Sequence, residues 1–131
     1  SMDIFATDII YVVDVNLLTI DTFIVDNVVK GFTKQMSYVE CTNEKNGTVA
    51  NISTFHDFNL DLNSIAAYNH HSNAEKFSFT DPAQAKKALI ILTKRELDEA
   101  EEYLEQHKQS FLETYDRVVK LQGKYNSLKK L

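Results

Sequence analysis

Tryptophan is absent from this chain, proline and cysteine occur once each, and glycine three times. Each scarcity removes a class of protein. With so little Pro and Gly the chain is neither collagenous nor low-complexity, and 44% hydrophobic residues, 11% of all residues being aromatic, can supply a core. Three isolated glycines cannot build a phosphate-cradling loop or a dinucleotide fingerprint, and no Gly-x-Ser-x-Gly elbow or His-Glu-x-x-His pair occurs. The lone Cys41 has no partner for an internal disulfide, which fits a reducing, cytoplasmic setting. Cations are short too: 14 Lys and Arg face 19 Asp and Glu, for a net charge of -5. That balance argues against general binding to a phosphate backbone, which needs clustered cations. The longest apolar runs, 9–13 and 88–92, are far shorter than the roughly 20 residues that cross a bilayer, so no membrane span is expected. Two glycosylation triplets, Asn46-Gly47-Thr48 and Asn51-Ile52-Ser53, have no basic-then-apolar leader ahead of them and read as chance matches.

What is present reads as one domain over 1–131, with a β-sheet part at 3–60 and 77–79, a loop over 61–76 and a helical part at 82–131. Short β-branched and aromatic runs predict strands near 8–15, 19–29, 34–42 and 48–55. Asn46-Gly47 between the last two is a hairpin signal, because a type I′ turn requires positive φ at both central positions. Neither face of 19–29 is purely polar, which predicts a curled sheet or small barrel whose outer face is partly covered. The alternation breaks over 56–76, and Phe77-Ser78-Phe79 reads as a final strand. Asp81 caps a helix with Pro82 at its first position. Thr93-Lys94-Arg95-Glu96 forms a second capping box, which predicts a helix over 82–92, a corner, and a long helix from 94 towards 128. The fold class is therefore α+β: an N-terminal antiparallel sheet or small barrel of four or five strands, then a short helix and one long C-terminal helix.

Along the long helix, positions spaced alternately by three and four are Leu97, Ala100, Leu104, His107, Phe111, Thr114, Val118, Leu121, Tyr125 and Leu128. Eight of these ten are apolar, a heptad seam that either lies on its own sheet or pairs with another copy. Residues 93–110 hold three cations against six carboxylates, -3, and residues 111–131 hold five against two, +3. This gradient suits the helix macrodipole and also favours an antiparallel homo-oligomer through Leu97, Leu104, His107, Phe111, Val118, Leu121 and Tyr125. The acidic cluster over 98–105 winds around the helix and reads as a solvated face.

The chemistry-bearing residues gather in the long loop. His56, His70 and His71 are too few and too polar in setting for a zinc site, and Cys41 within a strand reads as a buried thiol without a base, so neither a metal nor a catalytic residue is expected. A recognition site is: Phe55, His56, Phe58, Tyr68, His70, His71 and Lys76, with Arg95 at the start of the long helix, could line a pocket for a nucleotide-type ligand. Phe55, Phe58 and Tyr68 could equally be core residues beneath the loop.

The lead-in Phe77-Ser78-Phe79-Thr80-Asp81-Pro82-Ala83-Gln84-Ala85, behind several short strands and ahead of a charged terminal helix, resembles the layout of small accessory proteins of bacteriophages. The resemblance covers most of the chain as an architectural style, and no site residue is carried over from it. Some proteins of that kind counter bacterial immunity by sequestering nucleotide signals in oligomeric, non-catalytic pockets. It implies a viral, anti-defence role in the host cytoplasm. The expectation is a non-enzymatic, cofactor-free binding protein that oligomerises through its C-terminal helix and sequesters a nucleotide-type small molecule. The alternatives are an inhibitor or adaptor that binds a host protein directly, and a metal-dependent hydrolase using His56, His70 and His71.

Overall fold

The β-branched runs pair as their alternation requires. In the computed structural model, which describes residues 3–68 and 76–131, β1 (Ile9–Asp14), β2 (Thr19–Val29), β3 (Tyr38–Asn43), β4 (Val49–Ser53) and β5 (Lys76–Phe79) form one sheet in the order β4-β3-β2-β1-β5. Every neighbouring pair is antiparallel. The sheet is curled and open rather than a closed barrel, with β4 and β5 at its two edges. A bulge at Asp26, where the β2–β3 register shifts between Val25 and Asn27, adds local twist.

Both faces are covered in places, which explains why β2 shows no clean polar side. One core unites Val13, Val15, Phe77 and Phe79 with Ile65 and with Ala85, Ala88 and Leu92 of the terminal helix. The other gathers Ile10, Val12, Val25, Val39 and Phe58. Alternate residues of β1 thus serve opposite faces, as the pleat demands. Ile65 belongs to the short helix α1 (Leu62–Ala66), whose N-terminus is capped by Asp61 accepting from the Ser64 N–H at 2.8 Å.

The long helix α2 spans Pro82–Lys129, 48 residues. Asp81 caps it as the sequence predicts, accepting from the Ala83 N–H at 2.9 Å. The corner expected at 93 is not formed, and α2 runs through Thr93 without a break. A capping box only offers an alternative hydrogen-bond arrangement. A mid-helix Thr costs well under about 1 kcal/mol, whereas starting a second helix would repeat the nucleation cost, and no Pro or Gly enforces a stop. The strand expected from 34 starts later, because residues 34–36 form a single 3₁₀ turn ahead of β3, and the stretch expected as a loop over 61–76 contains α1 and the first residue of β5.

The Asn46-Gly47 hairpin forms where expected but with another turn. Only Gly47 has positive φ, at 73°. The Asn43 side chain accepts from the Lys45 and Asn46 N–H groups at 2.9 and 3.2 Å, and the Gly47 N–H donates to the Asn43 carbonyl at 2.9 Å, closing a four-residue loop. The chain divides into two units, Ser1–Lys94 and Arg95–Leu131. The first contains both cores. The second is helix followed by the last residues of the chain. Among the described residues, no helix is long and apolar enough to cross a membrane.

Candidate functional site

The residues that the sequence gathers into one loop take different places. In the strap Asp57-Phe58-Asn59, Asp57 and Asn59 sit in the left-handed region at φ 55° and 49°. Asp and Asn tolerate that conformation best among non-glycine residues. The strap lies along β5: the Ser78 N–H donates to the Asp57 carbonyl at 2.9 Å, and the Asn59 N–H to the Ser78 carbonyl at 2.7 Å. Asn59 and Thr80 add two side-chain bonds, at 3.1 and 3.0 Å. Phe58 is thereby held in the core at 6% exposure, and the outer edge of β5 is covered. Tyr68 meets Phe77 edge to face, ring centres 4.9 Å apart, against the other core. Phe58 and Tyr68 therefore hold the fold.

Phe55 and His56 remain exposed, their rings T-shaped to one another at 5.0 Å, with both N–H groups donating to Ser53 Oγ. Lys76 is exposed at the start of β5. His70 and His71 lie outside the described residues, and Arg95 opens the second unit. Among the described residues, no three His, Cys, Asp or Glu side chains gather as a metal site would need. Cys41 is buried in β3, its thiol donating to the Ala50 carbonyl at 3.3 Å. Burial, with the Asp26 carboxylate adding to it, pushes that thiol from 9.0 up to about 11, which removes its nucleophilicity near neutral pH.

A concavity within the first unit gathers aromatic and cationic side chains. A groove of about 720 Å³ is lined by residues 3–5 on one wall, by Val28, Lys30, Gly31, Phe32, Thr33, Lys34 and Ser37 on another, and by Thr54 and Phe55 on the third. Local hydrogen bonding sets each wall. Residues 3–8 are folded back onto β2, with the Thr7 N–H donating to the Val25 carbonyl at 2.8 Å and the Phe5 N–H to Asp8 Oδ2 at 2.8 Å. Thr54 is tied to the Ser37 carbonyl through its N–H at 3.2 Å and its hydroxyl at 3.3 Å. The middle wall turns tightly at Gly31, where a Cβ would lie 2.5 Å from that of Met36, so only glycine fits. The Gly31 N–H donates to Ser37 Oγ at 3.2 Å, and that hydroxyl donates to the Thr33 carbonyl at 3.3 Å.

Three phenylalanines face solvent around this groove: Phe5 is 64% exposed, Phe55 46%, and Phe32 fully. Lys30 and Lys34 stand beside them, with Asp3 the one carboxylate of the lining. Phe55 is the member that sequence analysis had placed in a site. Phe5, Phe32, Lys30 and Lys34 lie outside the residues that the sequence marks, although Lys30-Gly31-Phe32-Thr33-Lys34 interleaves cations and an aromatic around a glycine at the start of an expected strand.

In the second unit, the seam residues Leu97, Leu104, Phe111, Val118, Leu121, Tyr125 and Leu128 are all exposed. His107 is partly buried between rings of its own helix, 4.3 Å from Tyr103 and 6.1 Å from Phe111. No protein-family model, no curated protein and no solved structure matches this chain.

Proposed function

We propose that the protein captures a nucleotide-type small molecule, without turning it over, in the groove formed by residues 3–5, 28–37 and 54–55. The observation that carries this reading is three exposed phenylalanines and two lysines around one concavity of about 720 Å³. Small-ligand pockets span about 300–1,000 Å³ and combine apolar walls with a few placed charges. Phenyl rings stack on any base, for about 1–3 kcal/mol each, and the Lys30 and Lys34 ammonium groups supply the positive charge that a phosphate needs. Among the described residues the lining itself holds neither His nor Cys, although the His56 ring lies 5.0 Å from that of Phe55. In the bacteriophage setting that the layout resembles, the captured molecule is a nucleotide signal of host immunity, and stoichiometric capture is sufficient to silence it.

Calorimetric titration with a panel of cyclic and linear nucleotides tests this. One member is expected to bind and to be recovered intact after denaturation, with Phe55→Ala or Lys34→Glu weakening binding by about tenfold. Silence across the panel, or release of a cleaved product, overturns the reading. The complete exposure of Phe32 favours a second one, in which the protein is an inhibitor or adaptor docking directly on a host protein. Loss of a host-protein complex in Phe32→Asp, with no nucleotide bound by the wild type, selects that alternative.

A further inference from the structure

The second unit, Arg95–Leu131, carries an apolar seam whose large aliphatic and aromatic members are between 47% and 62% exposed. A continuous line of such residues on one helix is the pattern of a surface that another helix covers. We propose that a second copy of this chain covers it, running antiparallel, in the register that sets Leu104 opposite Leu121. This inference goes beyond the groove and does not depend on what the groove binds.

Volume and charge independently select that arrangement. In this register Tyr125 lies opposite Ala100 and Phe111 opposite Thr114, so each ring meets a small residue and successive layers fill evenly. A parallel pair would stack Phe111 on Phe111 and Tyr125 on Tyr125 while setting Ala100 against Ala100, overfilling some layers and leaving voids in others. The charge gradient agrees. Residues 93–110 sum to -3 and residues 111–131 to +3, so the antiparallel pair sets opposite signs side by side, whereas the parallel pair sets like on like at both ends. Exposed ion pairs are individually weak and fix direction, and the buried seam supplies the strength of the contact.

The test uses the full chain with Leu104→Cys and Leu121→Cys, singly and together, under mild oxidation. Along one helix these positions are about 25 Å apart, so a disulfide between them can form only between copies. The double variant is expected to give a covalent dimer whose linked peptides join the two different introduced thiols, while each single variant and the wild type, with Cys41 buried, give none. Light scattering should show wild type associated at micromolar concentration and Phe111→Glu weakened by about 100-fold or more, with the sheet signal in circular dichroism retained. A wild-type monomer at high micromolar concentration overturns the proposal. So does efficient linkage in either single variant, which would mean that the pair is parallel.

Discussion

Cys41 shows how burial, reinforced by the Asp26 carboxylate, sets the chemistry of a side chain. Its thiol ionises near 9.0 when free and is pushed up to about 11 in the fold, so between those values the unfolded chain loses its proton before the folded chain does. Stability is therefore expected to be fully present below that window and to fall as pH rises through it, by about 1.4 kcal/mol per unit. Comparing denaturant unfolding of wild type and Cys41→Ala at pH 8 and pH 10.5 checks this, because other titrating groups cancel in the difference; parallel pH profiles would refute it. The two phenylalanines Phe55 and Phe58 make the same point about position. Phe58→Ala should cost about 3–5 kcal/mol, since it empties part of a core, whereas Phe55→Ala should change stability by less than about 0.5 kcal/mol. Thermal melts of both variants separate the residue that holds the fold from the one that stays exposed.

Elements follow from local rules where those rules act alone. The β3–β4 hairpin depends on one backbone position, Gly47 at φ 73°, with open space where a Cβ would be. Gly47→Ala should therefore destabilise by about 1–2 kcal/mol through backbone strain with no clash, a value readable from urea midpoints at unchanged m. An unchanged midpoint would mean that the loop can adopt another turn. The long helix shows a different balance. Its capping-box sequence at 93 offers a start signal, yet the ladder continues through it because an uninterrupted helix keeps its hydrogen bonds. Past residue 94, local pairs support the exposed helix: Lys120 meets Asp116 at 3.0 Å and Lys129 lies over the Tyr125 ring at 5.2 Å.

For the whole molecule, the chain divides between Lys94 and Arg95 into two units. Among the described residues, both cores are built from residues up to Leu92. A chain ending at Lys94 is expected to unfold cooperatively, with a midpoint within a few degrees of the full chain at a concentration where the latter is dissociated, and to remain monomeric. Calorimetry and light scattering on the truncated chain check both, and a non-cooperative or aggregated product would show that the terminal helix is needed for folding. If the groove binds a ligand and the seam a second copy, as proposed, variants in residues 3–55 and in residues 97–128 are expected to lose the two properties separately, which calorimetric titration and light scattering on each variant check.

The sequence by itself determined what rests on period and local hydrogen bonding. Alternation places strand β2 at Thr19–Val29, the Asp81-Pro82 signal starts α2, Asn46-Gly47 turns the β3–β4 hairpin, and the three-and-four spacing from Leu97 to Leu128 marks one line along a helix. Each depends on neighbours within a few residues. Only the tertiary structure decided which aromatic residues are free. Phe55, Phe58 and Tyr68 look alike in a polar loop, and their fates are set by contacts distant in sequence: the strap along β5 carries Phe58 inward, Phe77 receives Tyr68, and Phe55 stays out. Phe5, Phe32 and Phe55 come to one groove because residues 3–8 fold back onto β2 and Thr54 is bonded to Ser37, contacts that no local pattern encodes. Burial and convergence are properties of long-range packing, so a site made of residues from three separated segments becomes visible only once the sheet has brought them together.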